Sequence, residues 1–256
     1  MVSLRPTRAL TTAFVLMVAL TAPGVAQWPP EVKNLQYFPA DTDVRELLQT
    51  MRGFAFGLGV RCQYCHVGEE GQPIFEFDFA SDEKETKRKA RTMLAMVAAI
   101  NGEHLPKLGE EPDDLVKVEC VTCHRGAPRP EQLTDILAEI AGEEGAAAAL
   151  DKYKALRDEF YGSHTYDFSE GTLVRVAEGL AGAGKADAAV ELLEFNLEMH
   201  AESTWTLGTL AEVEGRRQNV EGAVRALERI LELEPDNARV KQRLEQLRAP
   251  AAEGDG

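Results

Sequence analysis

The chain has no G-x-G-x-x-G, no P-loop and no Ser-His-Asp arrangement, so nothing in it marks a nucleotide site or a nucleophilic triad. It has no G-X-Y period, which excludes a collagen. Its apolar fraction of 44% and charged fraction of 28% sit near those of soluble globular chains and exclude a wholly disordered one. Cations are in deficit, with 28 Lys and Arg against 43 Asp and Glu and a net charge of −15. Such a surface repels phosphate backbones, so nucleic acid is not an expected partner and a basic protein is. A long hydrophobic run is missing too. The best candidate, residues 9–20, is broken by Thr11 and Thr12 and falls short of the roughly 20 residues a bilayer span needs. Cysteine is scarce, at four residues, and histidine at five.

What is present at the start reads as an export signal. Arg5 and Arg8 precede the apolar run, and Gly24-Val25-Ala26 closes it with a small-x-small cleavage pattern, giving a signal peptide over residues 1–26. An uncleaved N-terminal anchor is the alternative. No Cys follows the run, so a lipid-modified N-terminus is not indicated. The segment carries two Arg and no acid, and its removal takes the net charge to −17. The expected location is the periplasm, with membrane association only through a partner or an uncleaved signal.

Export makes the cysteines informative, because an oxidising compartment ordinarily favours disulfides. All four fall in two motifs, Cys62-Gln63-Tyr64-Cys65-His66 and Cys120-Val121-Thr122-Cys123-His124. C-x-x-C-H is the pattern of c-type haem attachment: two thiols bond the two vinyl groups of one macrocycle, and the adjacent imidazole becomes the proximal iron ligand. A four-cysteine zinc site leaves two histidines at identical offsets unexplained. A thioredoxin-like dithiol needs a βαβ pattern that is not there. Two local disulfides are the remaining alternative. The cofactors expected are two covalently bound haem c groups, held by Cys62 and Cys65 with His66 and by Cys120 and Cys123 with His124.

An electron-transferring haem iron takes a second axial ligand, and outside residues 1–26 the candidates are Met51, Met93, Met96, Met199, His104, His164 and His200. An internal repeat helps to choose. M-x-x-F-x-x-x-L from Met51 aligns with M-x-x-M-x-x-x-I from Met93, and both run on to V-x-C-x-x-C-H-x-G, the second after a longer insert. Met51 and Met93 are therefore equivalent. Each sits on an amphipathic helix pattern: Val44, Leu47, Leu48, Met51, Phe54 and Leu58 form one stripe, and Ala90, Met93, Leu94, Val97 and Ile100 the other. Asp43 and Glu46 suggest a capping box for the first helix, and Gly102 a stop for the second. A methionine on such a stripe is also ordinary core filler. Met96 and His104 stay open as rivals for the second haem.

Residues 34–126 resemble the multihaem cytochrome c subunit of the photosynthetic reaction centre. The resemblance rests on Met51-Arg52-Gly53-Phe54 leading through Leu58-Gly59-Val60 to the first C-x-x-C-H, and on Ala90-Arg91-Thr92-Met93-Leu94-Ala95-Met96 with Ile100-Asn101 leading to Val121-Thr122-Cys123-His124-Arg125-Gly126. It implies a helix that supplies a methionine and a loop that returns the haem motif against it. On that basis Met51 and Met93 are sixth ligands, and His66 and His124 fifth. Full-length members of the family carry four haem motifs, where this chain carries two, and one of their haems takes a distal histidine.

Pro128-Arg129-Pro130 breaks the chain after the second motif. Beyond it the composition turns to Ala, Leu and Glu, with no Cys and only Pro235 before residue 250. Positions repeat at 34 residues: Ala189 with Ala223, Leu193 with Leu227, Leu197 with Leu231, Leu173 with Leu207, Ala177 with Ala211. That period, with small residues at the crossings, resembles tetratricopeptide repeats; a generic Ala-rich bundle is the alternative. Val240 to Leu247 reads as a solvating end helix, and 132–160 as one or two further helices. The expected organisation is all-α: signal peptide 1–26, two-haem cytochrome c domain 27–130, tetratricopeptide-like domain 131–249, and a disordered tail 250–256.

Phe75, Phe77 and Phe79 alternate with acids and read as a short strand or a shield for a haem edge. Glu110-Glu111 and Asp113-Asp114 around Pro112 read as a solvated loop. The function expected is that of an electron carrier and not an enzyme. It passes electrons between redox protein partners, such as a small cytochrome or a membrane complex docked through the helical repeats, as the reaction-centre subunit does to its photo-oxidised donor. A haem enzyme or sensor with one displaceable axial ligand, and a respiratory carrier, are the alternatives.

Overall fold

The computed structural model describes residues 32–109, 111 and 114–249. The expected signal peptide over 1–26, the expected tail over 250–256, and Glu110, Pro112 and Asp113 of the acidic segment lie outside the described residues. The chain is all-α. Among the described residues the only β pairing is an isolated bridge between Val67 and Asp78.

The first helix, α1 (Val44–Leu58), begins where Asp43 accepts hydrogen bonds from the backbone N–H groups of Arg45 and Glu46. It ends at Gly59, whose φ of 65° is the left-handed cap that glycine adopts without a Cβ penalty. A loop containing the one-turn 3-10 helices Cys62–Tyr64 and Ile74–Glu76 leads to α2 (Glu85–Ala99). Gly102 does not stop this helix. The chain widens into a π turn over Ile100–His104, tightens to a 3-10 turn over Leu105–Leu108, and stops at Gly109 with φ 78°. A glycine inside a helix costs only about 1 kcal/mol, so the stop falls where a left-handed residue is needed. The phenylalanine segment is not a strand either, since Phe75 lies in a 3-10 turn.

The second haem motif forms α3 (Cys120–His124). Glu119 and Thr122 cap it reciprocally, the Thr122 hydroxyl accepting from the Glu119 N–H at 3.0 Å. α1 packs directly on α3. A Cβ on Gly57 would sit 3.1 Å from the Val121 nitrogen, and one on Gly59 only 2.0 Å from the Gly126 carbonyl oxygen, so the crossing depends on the lack of side chains there.

After the proline break come α4 (Leu133–Glu143), α5 (Ala146–Phe160), α6 (Glu170–Gly182), α7 (Ala186–Met199), α8 (Thr204–Arg216), α9 (Val220–Leu233) and α10 (Ala238–Arg248). The starts of α6, α8 and α10, at Glu170, Thr204 and Ala238, keep the 34-residue step. Ser203 and Asn237, at equivalent positions, cap α8 and α10. The aligned positions are core: Leu173, Ala177, Ala189 and Leu193 are fully buried, and Leu207, Ala211, Ala223 and Leu227 nearly so. Each buried leucine contributes about 1.5–3 kcal/mol. α10 closes the stack with Val240 and Leu244 inward and a polar outer face, as a terminal repeat requires.

Candidate haem-binding site

The apolar stripe of α1 does not close on other side chains. With α2 and both C-x-x-C-H motifs it surrounds a cavity of about 420 Å³. Leu47, Leu48, Met51, Phe54, Ala55 and Leu58 line it from α1, and Ala90, Met93 and Leu94 from α2. Cys62, Cys65, His66, Cys120 and His124 line the same cavity. Cys123 is exposed.

Each motif is a single helical turn, so its two cysteines, three residues apart, fall on one face. In the first, the N–H groups of Cys65 and His66 both donate to the Cys62 carbonyl, at 3.2 and 2.9 Å. Lys84 and Thr86, at the start of α2, donate to the carbonyls of Gln63 and Tyr64 and hold this turn against α2. In the second, the Asn101 side chain makes a two-way bond to Val118, accepting from its N–H at 2.9 Å and donating to its C=O at 2.8 Å. That pair returns the chain to α2 at the end of the insert. No disulfide joins any two of the four cysteines. Among the described residues no three Cys, His, Asp or Glu side chains converge on one point.

The imidazoles are held differently. His124 is paired through Nδ1 with the Ala127 carbonyl at 3.0 Å. Nδ1 donates there, which fixes the tautomer and leaves Nε2 as the ligating nitrogen. His66 stacks edge-on against Phe79 at 4.9 Å. Burial pushes its pKa below the usual histidine value, with Lys87 adding to the effect and a backbone hydrogen bond to Phe79 opposing it. Burial likewise pushes the Cys65 and Cys120 thiols up. A neutral imidazole beside apolar walls and paired thiols is the donor set that covalent haem requires, and the residues present fit that group.

Residues 31–175 match the model of the photosynthetic reaction centre cytochrome C subunit family, and residues 180–247 a tetratricopeptide repeat model. The chain belongs to the reaction-centre cytochrome C subunit family. It is also 41% identical over 71 residues to cytochrome c-554 of Chloroflexus aurantiacus (strain ATCC 29366 / DSM 635 / J-10-fl), a stretch covering 28% of this chain and 15% of that protein. Membership implies covalently bound haem c, on an all-α fold that ends in a tetratricopeptide repeat region. The family match runs past the proline break, through α4 and α5 and into α6.

The structure brings Met51, Met93, His66, His124 and three of the four cysteines to one cavity. Met93 and Met96 are almost equally exposed, at 45% and 49%, but only Met93 lines the cavity, and His104 is exposed at the end of the π turn. Phe79 reaches the cavity, while Phe75 is half-exposed. Sequence reasoning did not find Asn101–Val118, whose only signal was an Asn just past the stripe of α2.

Proposed function

We propose that this cytochrome is an exported carrier of two haems that passes single electrons between periplasmic redox proteins and performs no bond chemistry of its own. The observation that carries the reading is that both C-x-x-C-H turns and both repeat-equivalent methionines face one apolar cavity. Cys62 and Cys65 would anchor one haem and Cys120 and Cys123 the other, with His66 and Met51, and His124 and Met93, as axial ligands. Iron held this way supplies reversible one-electron chemistry, at a potential that thioether ligation and burial raise. The chain's own residues exclude water with Leu47, Leu48, Phe54 and Phe79, and fix the imidazole of His124 through Ala127.

The periplasmic location rests on residues 1–26. Among the described residues, no helix is long and apolar enough to cross a membrane. A redox partner of basic surface suits the net charge of −15, and the helical repeats offer it a docking surface. As a family member, the protein would re-reduce a larger membrane acceptor. The test is a redox titration of the purified protein together with its intact mass. Two haem increments, two reversible waves and no early response to carbon monoxide or peroxide are expected. One increment, or an iron that binds carbon monoxide at once, overturns the reading and favours a haem enzyme or sensor.

A further inference from the structure

The peptide joining Arg125 to Gly126 follows His124 directly, and both of its polar groups are held by distant parts of the chain. Its N–H donates to the Gly57 carbonyl of α1 at 2.9 Å. Its C=O accepts from the Thr165 hydroxyl at 2.6 Å. Thr165 lies 40 residues further on, in the loop between α5 and α6, and is itself buried at 9% exposure. The peptide also sits in an unusual backbone: Arg125 has φ 48° and Gly126 φ 87°. A non-glycine residue in this region costs about 1–2 kcal/mol, so the turn needs outside support. Its product is the placement of Ala127, whose carbonyl accepts from His124 Nδ1.

The loop that carries Thr165 is firmly based. Ser163 Oγ lies 2.6 Å from the Phe160 carbonyl and 2.9 Å from the Thr165 hydroxyl, so its single proton ties the loop to the end of α5 while Thr165 gives its own proton to Arg125. The next residue, Tyr166, meets Phe160 edge-on at 5.2 Å, and Phe168 meets the fully buried Tyr153 at 5.6 Å. An unbroken path of contacts therefore leads from the core of the helical stack to the imidazole of the second haem motif.

We propose that Thr165 is a positioning residue for His124: the helical region sets the strength of the His124 Nδ1–Ala127 bond, and through it the donor strength of the second proximal ligand. This rests on the reading that Cys120, Cys123 and His124 hold a haem. A hydrogen bond to Nδ1–H makes the imidazole a stronger donor and favours oxidised iron. Loosening it shifts the potential of that haem upward and leaves the other unchanged.

The experiment compares Thr165→Val, close in shape but without the hydroxyl, with Thr165→Ser, which keeps it, in the full holoprotein. Intact mass first counts the haems, and a spectroscopic redox titration then reads both potentials. Expected are two haems throughout, one potential raised in T165V, and parental values in T165S. Parental potentials in T165V, or equal shifts in T165V and T165S, overturn the role of the hydroxyl. A parent protein with no haem on Cys120 and Cys123 overturns the reading beneath it, and the mass distinguishes the two failures. Should T165V not accumulate, Thr165→Ala reads the same contrast.

Discussion

Leu193 on α7 is fully buried among other side chains, whereas Leu47 and Leu48 on α1 face a cavity. The contrast extends over both halves of the molecule. Among the described residues up to 126, Gly57 alone is buried; beyond the proline break, buried apolar residues run through α4 to α10 in two clusters that meet at α8. The helical stack buries apolar area against itself, the usual dominant source of stability. The cytochrome half directs its apolar faces at the space between its haem motifs. Those faces suit the covalently bound haem that the family implies, whose macrocycle would supply the apolar contacts that side chains there do not make with one another.

The contrast breaks most visibly if haem attachment is prevented. Replacing Cys62, Cys65, Cys120 and Cys123 together by serine should cost residues 32–126 nearly all hydrogen-exchange protection, while 133–248 keeps its own. Slow exchange in α1 and α2 of that variant would mean the first half folds unaided. The converse change acts on the other half. Leu193→Ala should destabilise the stack by about 2–5 kcal/mol in chemical denaturation, with the haem absorption unchanged. A haem spectrum that changes with Leu193 would show one shared core.

Gly59→Ala probes the seam inside the cytochrome half. The new Cβ would meet the Gly126 carbonyl oxygen in a backbone with φ 65°. A loss of about 2–3 kcal/mol is expected, read as a lower thermal midpoint of the holoprotein; an unchanged midpoint would mean α1 and α3 separate freely. Met93→Ala sharpens the comparison without unfolding either half. It should remove the methionine-to-iron band of one haem and admit carbon monoxide, while Met96→Ala keeps both parental. A change on His104→Ala with none on Met93→Ala would assign the second site to histidine.

Much of this division was legible in the residue order. The C-x-x-C-H pairs, the stripes of α1 and α2, the Asp43 cap and the 34-residue step are local or periodic, and such signals survive without a structure. Gly102 misled because glycine marks a stop only where the backbone turns left-handed, and that happens at Gly109. Thr165 gave no signal at all. A hydroxyl whose acceptor lies 40 residues upstream belongs to tertiary packing, as does the crossing of Gly57 and Gly59 over α3.

The smallest expected effect concerns charge at the edge of the cytochrome half. Asp82 pairs with Arg91 at 2.8 Å and Lys87 at 3.1 Å and accepts from the Gln36 side chain at 2.9 Å. Arg91 foremost, with Asn34 and Lys87, holds its carboxyl well below the usual carboxylate range. A folded-state pKa lower than the unfolded value of about 3.9 means that ionised Asp82 stabilises the fold. That contribution is fully present above pH 4 and is lost as the pH falls toward the folded value. The carboxyl lies near solvent, so screening keeps the effect small. Asp82→Asn should therefore be slightly less stable than the parent at pH 6, with the gap narrowing as acid is added below pH 4. The helical stack, which lacks this cluster, should show no such narrowing when followed by exchange at α7. A gap of equal size at pH 6 and pH 3 would show that Asp82 acts through hydrogen-bond geometry and not through its charge.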